Sequence, residues 1–184
     1  MVSRALIPKG PHAVRLLGAA LLSAALAVGL ATWSGTRDRW VLEAPPGTGP
    51  RAARLSLAAE GPIQGWLESA TPRLEVRCLP SAGIAFEVTT GLAAAVEPGN
   101  QRTVRFWFDE DEDTLTTWTQ SADRRVLSAP ADAVAGLVAR LGTAERFHFA
   151  YIPFNAEPAR ARFNLAGFPN RWQDALELCG SSGG

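Results

Sequence analysis

Beyond residue 33 the chain holds few groups able to do covalent or metal chemistry: one histidine, His148, the cysteines Cys78 and Cys179, and no lysine. A hydrolytic triad needs a nucleophile, a base and an orienting acid, and no G-x-S-x-G elbow presents a serine to His148. Zinc sites draw on three or four Cys, His or carboxylate ligands, a set this region does not supply once two thiols are bridged. Lys9 is the sole lysine and lies in the N-terminal arm, so Schiff-base chemistry is excluded from the rest. Asp109, Glu110, Asp111, Glu112 and Asp113 offer the oxygen donors calcium prefers, but without EF-hand order: the sixth position lacks glycine, and Gln120 stands where the closing glutamate belongs. That run reads as a solvated turn. No phosphate-binding glycine loop occurs, and we expect no catalytic site, metal or cofactor.

What remains is recognition chemistry. Arg105, Arg160 and Arg162, together with Trp107 or Trp118, form a candidate partner patch, since guanidinium and indole groups suit an anionic glycan, a lipid or a protein surface. Arg73 and Arg77 share their outward phase. The competing reading is cross-strand pairing of these arginines with Glu75 and Glu87. Asn155, in the polar centre of "YIPFNAEPA", is either a turn residue or a contact. Past the N-terminal arm the acids exceed the bases by about three, which leaves no electrostatic footprint for nucleic acid.

The elements that must carry these side chains are mostly strands. "RLSLAAE", "RLEVRCL", "GIAFEVTTG" and "TVRFWFD" alternate apolar and polar residues, as half-buried strands do, and "TLTTWTQ" and "RRVLS" are shorter candidates. "ERFHFAYIP" places Phe147, Phe149 and Tyr151 opposite Arg146 and His148, and "ARARFNLAG" places Ala161, Phe163 and Leu165 opposite Arg160 and Arg162. Pro153 and Pro158 bound the connector between these two strands, where Phe154 is expected to turn inward. "SAPADAVAGLVARLG" reads as a helix with Pro130 in its first turn, a stripe of Val134, Leu137, Val138 and Leu141, and Gly142 as its stop. A second helix comes after "FPN", with Asn170 as cap, Gln173 completing the capping box, and an end near Cys179. The resulting expectation is a mainly β fold: an antiparallel β-sandwich at 52–180 with one or two covering helices, preceded by an N-terminal apolar helix. A linker at 34–51, with "RWVLE" as a short edge strand, leads into it, and 181–184 form a tail.

Arg4, Lys9 and Arg15 precede an uncharged run at 16–33, so residues 1–33 read as a signal peptide or membrane anchor helix that places the downstream domain outside the cytoplasm. The run, about 18 residues, falls between the usual signal-peptide core and a full bilayer span. "GLA" at 29–31 offers the small residues a signal peptidase reads. Two cysteines in an exported domain predict one disulfide, with two buried free thiols as the alternative. Cys78 falls on the apolar phase of its strand, and Cys179 joins Trp172, Ala175 and Leu176 on a helical stripe.

Three stretches together resemble a known family: "PRLEVRC" at 72–78, "WTQSAD" at 118–123, and "IPFNAEPARARFNLAGF" onward to Cys179. They are similar to the VasI/TagO family of type VI secretion-associated periplasmic proteins and its wider relatives, over about residues 52–180. The element Pro153, Phe154, Asn155 and Pro158 is the most specific match. The resemblance implies the domain fold, the Cys78–Cys179 bridge and an accessory role without a defined catalytic site. The secretion proteins carry a further cysteine-containing segment before the domain, whereas residues 32–71 here contain no cysteine.

These readings converge on a non-catalytic extracytoplasmic accessory or scaffold module, periplasmic or inner-membrane-anchored, that binds an envelope component or membrane protein complex. An anchored structural subunit of an assembly unrelated to secretion, and a glycan- or lipid-binding module, are the alternatives. Sequencing the mature N-terminus separates the two forms of the leader: a start at Thr32 marks a cleaved signal, and an intact leader marks an anchor.

Overall fold

An apolar strand face must be covered, and here one long sheet covers much of its own. The computed structural model describes residues 39–44, 52–80 and 82–180; the run at 16–33, most of the linker and the tail at 181–184 lie outside the described residues. The first six strands are β1 (Val41–Glu43), β2 (Ala53–Ala58), β3 (Ile63–Gln64), β4 (Ser69–Ala70), β5 (Arg73–Leu79) and β6 (Gly83–Thr89). Then come β7 (Gln101–Phe108), β8 (Thr114–Gln120), β9 (Val126–Ser128), α1 (Ala131–Leu141), β10 (Arg146–Tyr151), β11 (Ala159–Asn164) and α2 (Phe168–Gly180). Among the described residues no helix is long and apolar enough to cross a membrane.

The fold is mainly β, with a nine-stranded antiparallel sheet in the order β1-β2-β5-β6-β9-β8-β7-β10-β11 and a separate β3-β4 hairpin. This corrects the expected sandwich, which would divide the strands into two separately paired sheets. Instead the ladder runs unbroken, and its ends approach each other. β1 pairs with residues 54–56 of β2. Just past the end of β2, the Glu60 N–H donates to the Arg162 carbonyl of β11 at 2.8 Å. The accumulated twist of successive strands makes such curling accessible, and burial of the apolar face drives it.

Ring contacts show the interior. Phe147 of β10 meets Phe86 of β6 edge-on at 5.7 Å, although three strands lie between them in the ladder. Trp118 of β8 touches Phe86 at 5.7 Å and Phe149 at 5.1 Å. Leu55, Leu74, Val76, Val88, Leu127 and Phe163 are fully buried in the same core.

Both helices close onto this core. α1 buries Val134, Leu137, Val138 and Leu141, the stripe read from its periodicity, and begins after Pro130. α2 packs on β2 and β5 and buries Phe168, Trp172, Ala175 and Cys179. It starts earlier than the capping-box reading places it. Gly167, with φ 87, turns the chain, Phe168 opens the helix, and Asn170 already lies within its first turn. The better cue is Pro169, because proline is preorganised for a first helical turn and needs no N–H there. Trp40, just before β1, packs against Phe168 at 5.1 Å, so part of the expected linker belongs to the core.

Cys78 of β5 is bridged to Cys179 of α2, 101 residues apart in sequence, with Cα atoms separated by 6.1 Å. In the chain-entropy description, closing a loop of that length stabilises the fold by about 4.7 kcal/mol. The Cys78→Ala/Cys179→Ala variant is therefore expected to lose about 2–5 kcal/mol in urea unfolding. Trp118→Ala should cost about 3–5 kcal/mol as a cavity mutation. Unchanged urea midpoints would contradict both expectations.

Candidate functional site

The outer face of β7, β10 and β11 collects most of the candidate contact residues. Antiparallel register sets them in rows: Trp107 lies opposite His148, which lies opposite Arg162, and Arg105 lies opposite Ala150, which lies opposite Arg160. Cross-strand neighbours on one face have Cβ atoms about 5 Å apart, so each row is a contact set. The His148 ring stacks on Trp107 with centroids 4.8 Å apart and planes 4° from parallel. The Arg160 guanidinium lies 5.9 Å from the Trp107 ring centroid.

Two clefts flank this stack. One, of about 540 Å³, is lined by Arg105, Trp107, Leu115, Ala150, Ile152 and Arg160, among others. The second, of about 490 Å³, lies over Glu60, Pro62, Trp107, His148, Arg160 and Arg162. Trp107 and Arg160 therefore border both. Leu115 and Ile152 are 59% and 50% exposed, an apolar margin beside cationic walls.

The arginines differ in their partners. Arg105 pairs with Asp113 at 2.6 Å, and Arg162 pairs with Glu60. Away from this face, Arg77 pairs with Glu87 at 2.5 Å and Arg54 with the buried Glu75 at 3.2 Å. The cross-strand pairing alternative thus describes Arg77. Trp118, expected as a possible patch residue, is 1% exposed and cannot meet a partner. Its strand pairs it with the buried Arg102 of β7, which puts its indole on the core side.

The acidic turn at 109–113 joins β7 to β8, as expected, and its carboxylates diverge. Asp109 accepts the Glu145 and Arg146 N–H groups at 3.0 and 2.8 Å, Asp111 pairs with Arg140, and Asp113 with Arg105. Among the described residues no three His, Cys, Asp or Glu side chains gather to hold a metal ion.

The connector after β10 is a platform at one end of the sheet. Pro153 bridges to Ala94, the Phe154 N–H donates to the Ala93 carbonyl at 2.8 Å, and the Ala95 N–H donates to the Ile152 carbonyl at 2.8 Å. Asn155 adopts φ 52, a left-handed conformation that asparagine tolerates better than most residues. Phe154 does not tuck inward: Pro153 occupies the buried position, so Phe154 faces out, 47% exposed, with the Arg124 guanidinium 5.3 Å from its ring centroid. Beside it, Ile152, Pro153 and Asn155 share a cleft of about 590 Å³ with Trp66, which is 67% exposed at the tip of the β3-β4 hairpin. Asn155 therefore stands apart from the Arg160 row, with Ile152 joining the two clefts.

The sequence reading missed Ala150, Leu115 and Ile152. Leu115 had a legible signal, as a large apolar residue among the threonines of β8 and out of phase with Trp118, but Ala150 gains its meaning only from its two arginine neighbours.

The fold and this surface define a disulfide-bridged, mainly β protein with an arginine- and tryptophan-bearing face. No family model matches the chain, and no curated protein matches it. Among solved structures, invasion associated protein B from Bartonella henselae is similar at 14% identity and a TM-score of 0.49, across 76% of this chain and 93% of that one.

Burial, followed by the charges of Arg162 and Arg146, holds the His148 imidazole below its ordinary 6.5, against weaker opposition from Glu110 and Glu60. The unfolded chain then takes up this proton first as pH falls. Stability contributed by neutral His148 is present above about pH 6.5 and is lost as pH drops toward the folded pKa. His148→Phe keeps a ring against Trp107 and is expected to flatten the dependence of the urea midpoint between about pH 7 and pH 5. An unaltered slope would assign that dependence to other groups.

Proposed function

We propose that this chain is a non-catalytic extracytoplasmic accessory module that binds another envelope protein through the outer face of β7, β10 and β11. The observation that carries the reading is the gathering of Arg105, Trp107, Arg160 and Arg162 on one face beside the exposed Leu115 and Ile152. Arginine and tryptophan are enriched among the residues that dominate binding energy, and exposed apolar groups rimmed by polar ones mark interaction surfaces. The disulfide and the basic, then apolar N-terminal sequence support an oxidising location beyond the cytoplasmic membrane. The similarity to VasI/TagO-like proteins makes a secretion-associated partner part of the proposal. Retention of residues 16–33 as an anchor would make the module a subunit of a membrane assembly.

The test is affinity purification of the tagged full-length chain from detergent-solubilised membranes of its own cells, beside a Trp107→Ala/Arg160→Ala variant. Co-purifying protein is expected with the parent chain and is expected to fall by about tenfold or more with the variant, while circular dichroism and the disulfide stay unchanged. Equal recovery with both chains would rule out this face.

A further inference from the structure

The cleft over Ala150 carries a charge pattern that selects among ligands. Ala150 lies between Arg105 of β7 and Arg160 of β11, so two long cationic side chains rise on either side of a methyl group. That small residue leaves the floor of the slot open. Arg105 is already engaged by Asp113, and Arg162 by Glu60. Arg160 has no carboxylate partner among the described residues; it meets the Trp107 ring, a contact that orients the guanidinium without neutralising it. Leu115 and Ile152 supply an apolar wall, and Ile152 continues into the cleft that Trp66 lines. On the other side stands the acidic turn, whose Asp111 and Asp113 border the slot and whose Glu110 and Glu112 are exposed.

Resting on the binding face proposed above, we propose that this slot takes a short extended peptide segment of the partner, with an acidic side chain next to an aliphatic one and a basic residue nearby. The carboxylate meets Arg160, the aliphatic group lies on Leu115 and Ile152, and the base faces the exposed Glu110 and Glu112 of the turn, since Asp111 and Asp113 are paired with Arg140 and Arg105. Charge complementarity favours this occupant over a polyanion: an anionic bilayer or sulfated glycan would bring its repeated negative charge against that turn, whereas a single carboxylate does not.

A phage-displayed library of random heptapeptides, selected on the immobilised oxidised full-length chain, tests the proposal. The enriched peptides should place Asp or Glu beside Leu, Ile or Phe. A fluorescent peptide of the consensus should bind about tenfold or more weakly to Arg160→Ala, by anisotropy. Ala150→Leu, which fills the slot from the outer face, should weaken it comparably with unchanged circular dichroism. The proposal is overturned by a library that yields no binder, by enriched peptides without an acid, or by full affinity in both variants. Binding of phosphatidylglycerol vesicles or heparin that Arg160→Ala abolishes, in place of peptide binding, would also overturn it. Loss of the native partner in Trp107→Ala/Arg160→Ala without an acidic consensus removes this inference alone, whereas retention of that partner removes the face itself.

Discussion

The ring of Phe147 touches Phe86, Phe106, Phe108, Phe149 and Phe163, with centroids between 5.1 and 6.4 Å away. Some of these partners share its strand or flank it, but Phe86 lies on β6, and the two can meet only if the sheet bends until its inner surface faces itself. The remaining architecture depends on that requirement. The hydrogen bond from Glu60, just past β2, to β11 brings the two margins together, α2 packs on β2 and β5 beside the bridged Cys78, and α1 packs against β6. Aromatic rings suit this task because each brings a large apolar area with few rotatable bonds.

The same curvature decides what the outer surface can be. Arg105 and Arg160 are separated by many residues, three hairpin connections and α1, yet register sets them either side of Ala150. Their alignment depends on β10 being central to both ladders, with its inward phenylalanines holding it in place. The packing inside and the arginine- and tryptophan-bearing face outside are thus both organised by one strand, whose side chains alternate between them.

Much of this was legible from alternation alone. The periodicity of "ERFHFAYIP" and "ARARFNLAG" gives the correct inward and outward sides of β10 and β11, and the stripe of α1 is buried as read. Alternation does not say which strand pairs with which. β9 enters the ladder between β6 and β8, and no local pattern announces that order. β8 also hid its facing, because threonines at 114, 116, 117 and 119 suit either side and only pairing with β7 turns Trp118 inward. The two-residue strands of the β3-β4 hairpin were too short for any period to register. Phe154 misled for a related reason: a proline filled the buried place that a larger apolar residue would ordinarily claim.

The hydrogen bond from Glu60 to Arg162 has a consequence for how this protein can meet others. Unpaired strand margins are where many proteins accept an added strand from a partner or from another copy of themselves. Here the margin of β11 is engaged at Arg162 and β3 lies alongside it, while β1 at the opposite margin is only three residues long. Among the described residues, one margin is thus short and the other partly occupied for a strand-adding partner. A partner seated on the outer face would be met by side chains, and these can change by substitution without disturbing the ladder beneath.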